Sequence, residues 1–142
     1  NNEIKIFTRR LENVTNQFPE VSDYIRKYID EKKIILDSEA VGYNKKTGKY
    51  LPFQSISQRI KRKYDIQKMA DEFPVELNVF DIINYNGKSV VNESFENRKK
   101  IINSIIKNTQ KKIKIAKRNE VATVAIISFL LNFSSKKFPL PI

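Results

Sequence analysis

The chain has 142 residues, 40% apolar and 30% charged, which suits one packed domain and argues against wholesale disorder. It has no cysteine and no histidine, so disulfides, zinc sites built on those ligands, thiol nucleophiles and a Ser-His-Asp triad are all excluded. The net charge of +11 is uneven: residues 1–96 hold 16 Lys/Arg against 15 Asp/Glu, and residues 97–142 hold 11 Lys/Arg against the single acid Glu120. A basic surface favours polyanions such as nucleic acid or anionic lipid, although a chain-wide bias toward Lys, Asn and Ile explains the tail equally well.

In chain order, Glu3–Thr8 alternates charged and apolar residues and reads as a strand. Pro19 opens a helix whose Val21, Tyr24, Ile25, Tyr28 and Ile29 form one apolar face. Lys33–Tyr43 reads as a strand, and Asn44–Lys49 as a polar turn with a glycine suited to positive φ. Phe53–Arg62 and Asp65–Glu72 read as two short helices, the second ended by Pro74. Val75–Tyr85 is a strong strand signal. Asn86-Gly87 then predicts a tight hairpin into Ser89–Val91. Ser94–Asn108 reads as a helix with an isoleucine stripe, and Lys111–Ile115 as a further strand. Mixed strands and helices joined by hairpins predict an α+β fold with antiparallel-rich sheets and flanking helices. The N-terminus carries no apolar signal-like stretch. The longest nearly apolar run, Val121–Leu131, is shorter than the roughly 20 residues of a membrane span. The expectation is a soluble, cytoplasmic protein without membrane contact.

Four groups of residues are candidates for chemistry. On the Ile34–Val41 strand, Asp37 and Glu39 share one face, either as a structural ion pair or as the polar floor of a site. In Val75–Ile83, alternation puts Leu77, Val79, Asp81 and Ile83 on one face. Glu76, Asn78, Phe80 and Ile82 take the more polar one. There Phe80 either stacks on a nucleobase or packs beneath a helix. Between Ala40 and Tyr64 there are seven basic residues and no acid, and Arg59, Arg62 and Lys63 at helical spacing present one charged face to a phosphate backbone or simply to solvent. Arg9-Arg10 after the first strand can hold phosphate through forked hydrogen bonds, or pair with Glu12 at the surface. No P-loop, dinucleotide-binding glycine fingerprint or EF-hand is present.

The blocks Phe7–Thr15 (FTRRLENVT), Ile35–Val41 (ILDSEAV), Leu51–Gln54 (LPFQ) and Val79–Gly87 (VFDIINYNG) occur in that order. Together they resemble the adenylation domain of ATP-dependent DNA ligases, most closely the archaeal type, from about Ile4 to about Lys117. The resemblance implies a partial ATP-grasp-like nucleotidyltransferase domain over residues 1–118, with 119–142 as a divergent tail such as a truncated gene or frame slip would leave. It implies ATP and Mg2+ as cofactors, nicked double-stranded DNA as partner, a monomer, and work in replication, repair and recombination. In the implied mechanism a lysine attacks the α-phosphate of ATP, AMP passes to a 5′-phosphate at the nick, and a 3′-hydroxyl displaces it.

By position, Glu39 matches the carboxylate that bonds the AMP ribose, Phe80 the aromatic that stacks on adenine, and Arg9 the arginine near the nucleotide phosphate. Arg59, Lys61 and Arg62 match a basic segment that touches DNA, and Asp81 supports the site. Arg98 stands where the family often carries an arginine. No catalytic residue is assigned, because the family's Lys-x-Asp-Gly is absent. Lys63-Tyr64-Asp65-Ile66 imitates it with Ile for Gly and lies between the wrong blocks. Ser38 replaces the usual Gly before Glu39, and the family's later Glu-Gly and Lys-x-Lys strands are not found. Metal ligands are not assigned. Two alternatives stand beside this reading: a non-catalytic nucleic-acid-binding fragment, and a related RNA ligase or capping nucleotidyltransferase.

Overall fold

The computed structural model describes residues 3–30 and 33–117, and the backbone course of 127–134. Strand β1 (Glu3–Phe7) leads through a short 3-10 turn to helix α1 (Pro19–Tyr28). This helix has proline in its first turn, Glu20 near its positive end, and Arg26 and Lys27 near its negative end. Strand β2 (Ile34–Gly42) ends in a loop in which Asn44 Oδ1 accepts from the Lys46 and Thr47 amides, with Gly48 at φ +69°. Helices α2 (Phe53–Lys61) and α3 (Ile66–Glu72) follow, then β3 (Val75–Tyr85) and β4 (Lys88–Ser89). Asn86 and Gly87 both take positive φ, 51° and 81°, as a tight hairpin matched to strand twist requires. Helix α4 (Phe95–Ile105) is capped by Ser94, whose hydroxyl accepts from the Asn97 amide at 3.2 Å. Strands β5 (Ile113–Ile115) and β6 (Ile127–Ser134) complete the described elements.

These strands form one mixed sheet in the order β1-β6-β2-β3-β4, with β5 parallel to β3 and every other pair antiparallel. The architecture is α+β, as expected. The stretch set apart as a tail supplies β6, which is hydrogen-bonded to β1 on one edge and β2 on the other. The remainder of that stretch, 118–126 and 135–142, lies outside the described residues.

Core-facing Leu36, Leu77, Val79 and Ile82 join Phe18, Val21 and Ile25 from around α1, and Ile102 and Ile105 from α4, in one apolar cluster. Helix α2 closes tightly on the end of β2: a Cβ at Gly42 would sit 2.3 Å from Ile56 Cδ1. Simple alternation fails along β3. Register breaks opposite Ile35/Leu36 and Asp37/Ser38 insert extra residues, so that Asp81 faces Asp37 and Ile82 faces core residue Leu36. Asp81 therefore belongs to the polar face and Ile82 to the core, the reverse of the strict two-residue period. The cause is a pair of bulges that a period count cannot contain.

Candidate functional site

The polar face of β2 and β3 is the candidate site. Cross-strand register sets Glu39 beside Asn78 and Asp37 beside Asp81, and parallel β5 sets Lys114 on the far side of Asn78. Alternation from Asn78 keeps Phe80 on this face, diagonal to Glu39. Phe80 is half-buried, and it belongs neither to the apolar cluster nor to the aromatics packed on it. Glu39 is only 1% exposed, yet among the described residues its Oε2 accepts no hydrogen bond, and the same is true of Asn78 Oδ1. Burial pushes the Glu39 carboxyl up to about 7, the nearby Asp37 charge adds to the rise, and Lys114 opposes it. Asp37 is raised too, first by partial desolvation, although its side chain reaches solvent, and then by Asp81. An amide hydrogen bond and the Arg9 charge pull it back. Phe7 and Asp37 both pair with Leu130 of β6, so the turn after β1 lies one strand beyond Asp37 on the same level of the sheet, near enough for the Arg9 charge to act on it.

Two polar clusters brace that face. Asp81 is held by Arg98, with Nε to Oδ1 at 2.8 Å and Nη2 to Oδ2 at 3.1 Å, and Arg98 also donates to the Glu93 carbonyl at 2.6 Å. The fork ties α4 and the loop before it to β3 at the edge of that face. On the other side, buried Glu76 accepts from Tyr50 Oη at 2.9 Å and the Lys111 amide at 2.8 Å, and pairs with Lys114 Nζ at 3.4 Å. Lys111 Nζ stands 3.8 Å over the Tyr50 ring.

The basic stretch divides. Arg59 is 1% exposed. Its guanidinium forks onto Glu20, donates to the carbonyls of Phe73 at 3.0 Å and Gln17 at 2.6 Å, and lies 4.3 Å over the Phe18 ring. It clamps α2 to α1 and leaves the charged face expected of it. Helical spacing showed that Arg59 shares a stripe with Arg62 and Lys63, but not that the stripe ends at Lys61 or that Glu20 waits beneath it. Lys61 and Arg62, with Lys63, are exposed at the end of α2.

The family model for the ATP dependent DNA ligase domain matches residues 1–137. The chain belongs to the ATP-dependent DNA ligase family. It is 46% identical to the DNA ligase of Nanoarchaeum equitans over 114 residues, 80% of this chain and 20% of that one. It is 44% identical to the DNA ligase of Methanocaldococcus jannaschii over 105 residues (74% and 18%), and 41% identical to that of Saccharolobus solfataricus over 104 residues (73% and 17%). The chain thus spans about one fifth of the length of the curated relatives it matches.

Within this ligase-family chain, Glu39 and Phe80 share one sheet face, Arg9 acts electrostatically on Asp37 of that face, and Lys61 and Arg62 lie apart from it at the end of α2. Sequence reasoning had placed Asn78 on the polar side of its strand without singling it out. Lys114 carried no signal at all, since nothing local announces that β5 runs parallel beside β3. Among the described residues no group of three or more carboxylates converges to hold a cation. No helix among them is long and apolar enough to cross a membrane.

Proposed function

We propose that this chain forms part of a ligase adenylation domain with an ATP-grasp-like nucleotidyltransferase topology, and that its polar sheet face is the nucleotide slot. Phe80 stacks on adenine, Glu39 takes the ribose, and Arg9 faces the phosphates. Lys61 and Arg62 meet the backbone of nicked double-stranded DNA, and the protein works as a monomer. The slot serves the family's chemistry: AMP carried on a lysine, then on the DNA 5′-phosphate, then released as the nick closes. The 142 residues contain no Lys-x-Asp-Gly, so this chain supplies nucleotide and DNA contacts rather than the nucleophile. Mg2+ would balance phosphate charge in that chemistry when bound. The boundary drawn at residue 118 falls inside the family match, which reaches residue 137, and 127–134 supply a strand to the sheet. Replication, repair and recombination are the settings for such a reaction.

One observation carries the reading: a buried carboxylate with an unpartnered oxygen lies diagonal to a half-buried phenyl ring outside the core. A buried polar atom left without a partner marks a place held open for one. Isothermal titration of the 142-residue chain with ATP is the test. Binding is expected, and Phe80→Ala is expected to weaken it by about 1–3 kcal/mol through loss of the stack. Unchanged affinity in the variant removes Phe80 from the slot.

A further inference from the structure

Two buried acceptors, Glu39 Oε2 and Asn78 Oδ1, stand on directly paired residues of adjacent strands, and among the described residues neither receives a hydrogen bond. Directly opposed side chains on one sheet face stand about 4.5–5.5 Å apart at Cβ. Two acceptors at that spacing complement a molecule presenting two adjacent donors. A carboxylate and an amide oxygen left dry are costly, so a ligand that satisfies both at once gains more than one that satisfies either. Of the parts of a purine nucleotide, the ribose has this form: its vicinal 2′- and 3′-hydroxyls are neighbouring O–H donors. Among the described residues, the nearby cations have other partners. Lys114, the cation beside Asn78, already engages Glu76 at 3.4 Å. The Arg98 fork is spent on Asp81.

We propose that Asn78 is a sugar-specificity residue of the slot, its Oδ1 accepting one ribose hydroxyl while Glu39 accepts the other. The assignment rests on the nucleotide reading above and extends it: Asn78, together with Glu39, separates ribonucleotides from deoxyribonucleotides. No bond is made or broken, and Asn78 acts by hydrogen bonding alone.

The test is titration of the full chain with ATP, 2′-deoxy-ATP and 3′-deoxy-ATP, with thermal melts to verify folding. Wild type is expected to prefer ATP over each analogue by about 3- to 10-fold, the worth of one hydrogen bond. Asn78→Ala is expected to abolish the preference over one analogue and keep it over the other. Asn78→Asp retains an acceptor and should keep both preferences even as overall affinity falls. Asn78→Ser, which shortens the reach without emptying the position, makes the same comparison if the alanine variant fails to fold. Both ratios unchanged in Asn78→Ala, with Phe80→Ala still weakening ATP, overturn the role of Asn78 alone. Loss of the preference in Asn78→Asp as well overturns it in favour of packing. Failure of Phe80→Ala and Glu39→Ala to alter ATP affinity overturns the slot itself, and this inference with it.

Discussion

Arg59 and Glu39 are equally buried, each 1% exposed, and they stand for opposite uses of a buried charge. Arg59 has a carboxylate fork, two carbonyls and an aromatic ring around it, and only its Nε lacks a partner. Glu39 sits beside a like-charged Asp37, with one oxygen unpartnered and its carboxyl driven up to about 7 by burial. A charge whose desolvation is offset by close partners is scaffold. A charge left partly uncompensated stores a cost that binding can relieve. The contrast separates the region that holds the helices together from the region proposed above as the nucleotide slot.

The largest expected effect falls on the scaffold. Arg59→Ala strands Glu20 and three further contacts, and chemical denaturation should show a loss of about 3–5 kcal/mol, the range for breaking one side of a buried pair. A loss under 1 kcal/mol would put Arg59 at the surface and dissolve the contrast.

Glu39 should behave the opposite way, and in a pH-dependent manner. Its folded-state pKa lies above the unfolded value, so the folded state binds more protons between about 4.5 and about 7. Stability from this group therefore falls as pH rises through that window. Glu39→Gln is expected to be on the order of 2 kcal/mol more stable than wild type at pH 8, the gap closing toward pH 4.5. Denaturant melts at both pH values measure it. A gap independent of pH would mean the carboxyl is not desolvated.

The smallest effect belongs to the exposed end of α2. Lys61→Ala and Arg62→Ala should change stability by less than about 0.5 kcal/mol. Each should also lower the salt dependence of binding to nicked duplex DNA by about one unit of slope. A filter-binding salt series reads this directly, and unchanged slopes would leave both residues as solvated charges.

The site was half legible before the fold was known. Asp37 and Glu39 announce themselves because carboxylates in an apolar strand are expensive to bury without partners, and Phe80 because a large ring stands on a half-polar face. Asn78 is as informative physically, but a single amide in a strand has many explanations until its partner across the sheet is known. Lys114 and Arg98 reach the site only through pairings made 17 to 75 positions away in the chain. Arg59 misled for a related reason: spacing along a helix says which residues share a face, and not what that face meets.

Element type was settled locally. Asn86-Gly87 adopts positive φ because few other pairs do so cheaply, Pro19 and Ser94 start helices with their own geometry, and β3 runs from Val75 to Tyr85 as its β-branched and aromatic content requires. Such preferences act over a few residues and are carried by the residues themselves. Tertiary structure alone decided the rest: the bulges that turned Asp81 onto the polar face, the insertion of β6 between β1 and β2, the parallel seat of β5, and the inward turn of Arg59. Each depends on which distant surfaces meet and on whether a buried polar atom finds a partner there, a quantity that no stretch of chain possesses before it folds.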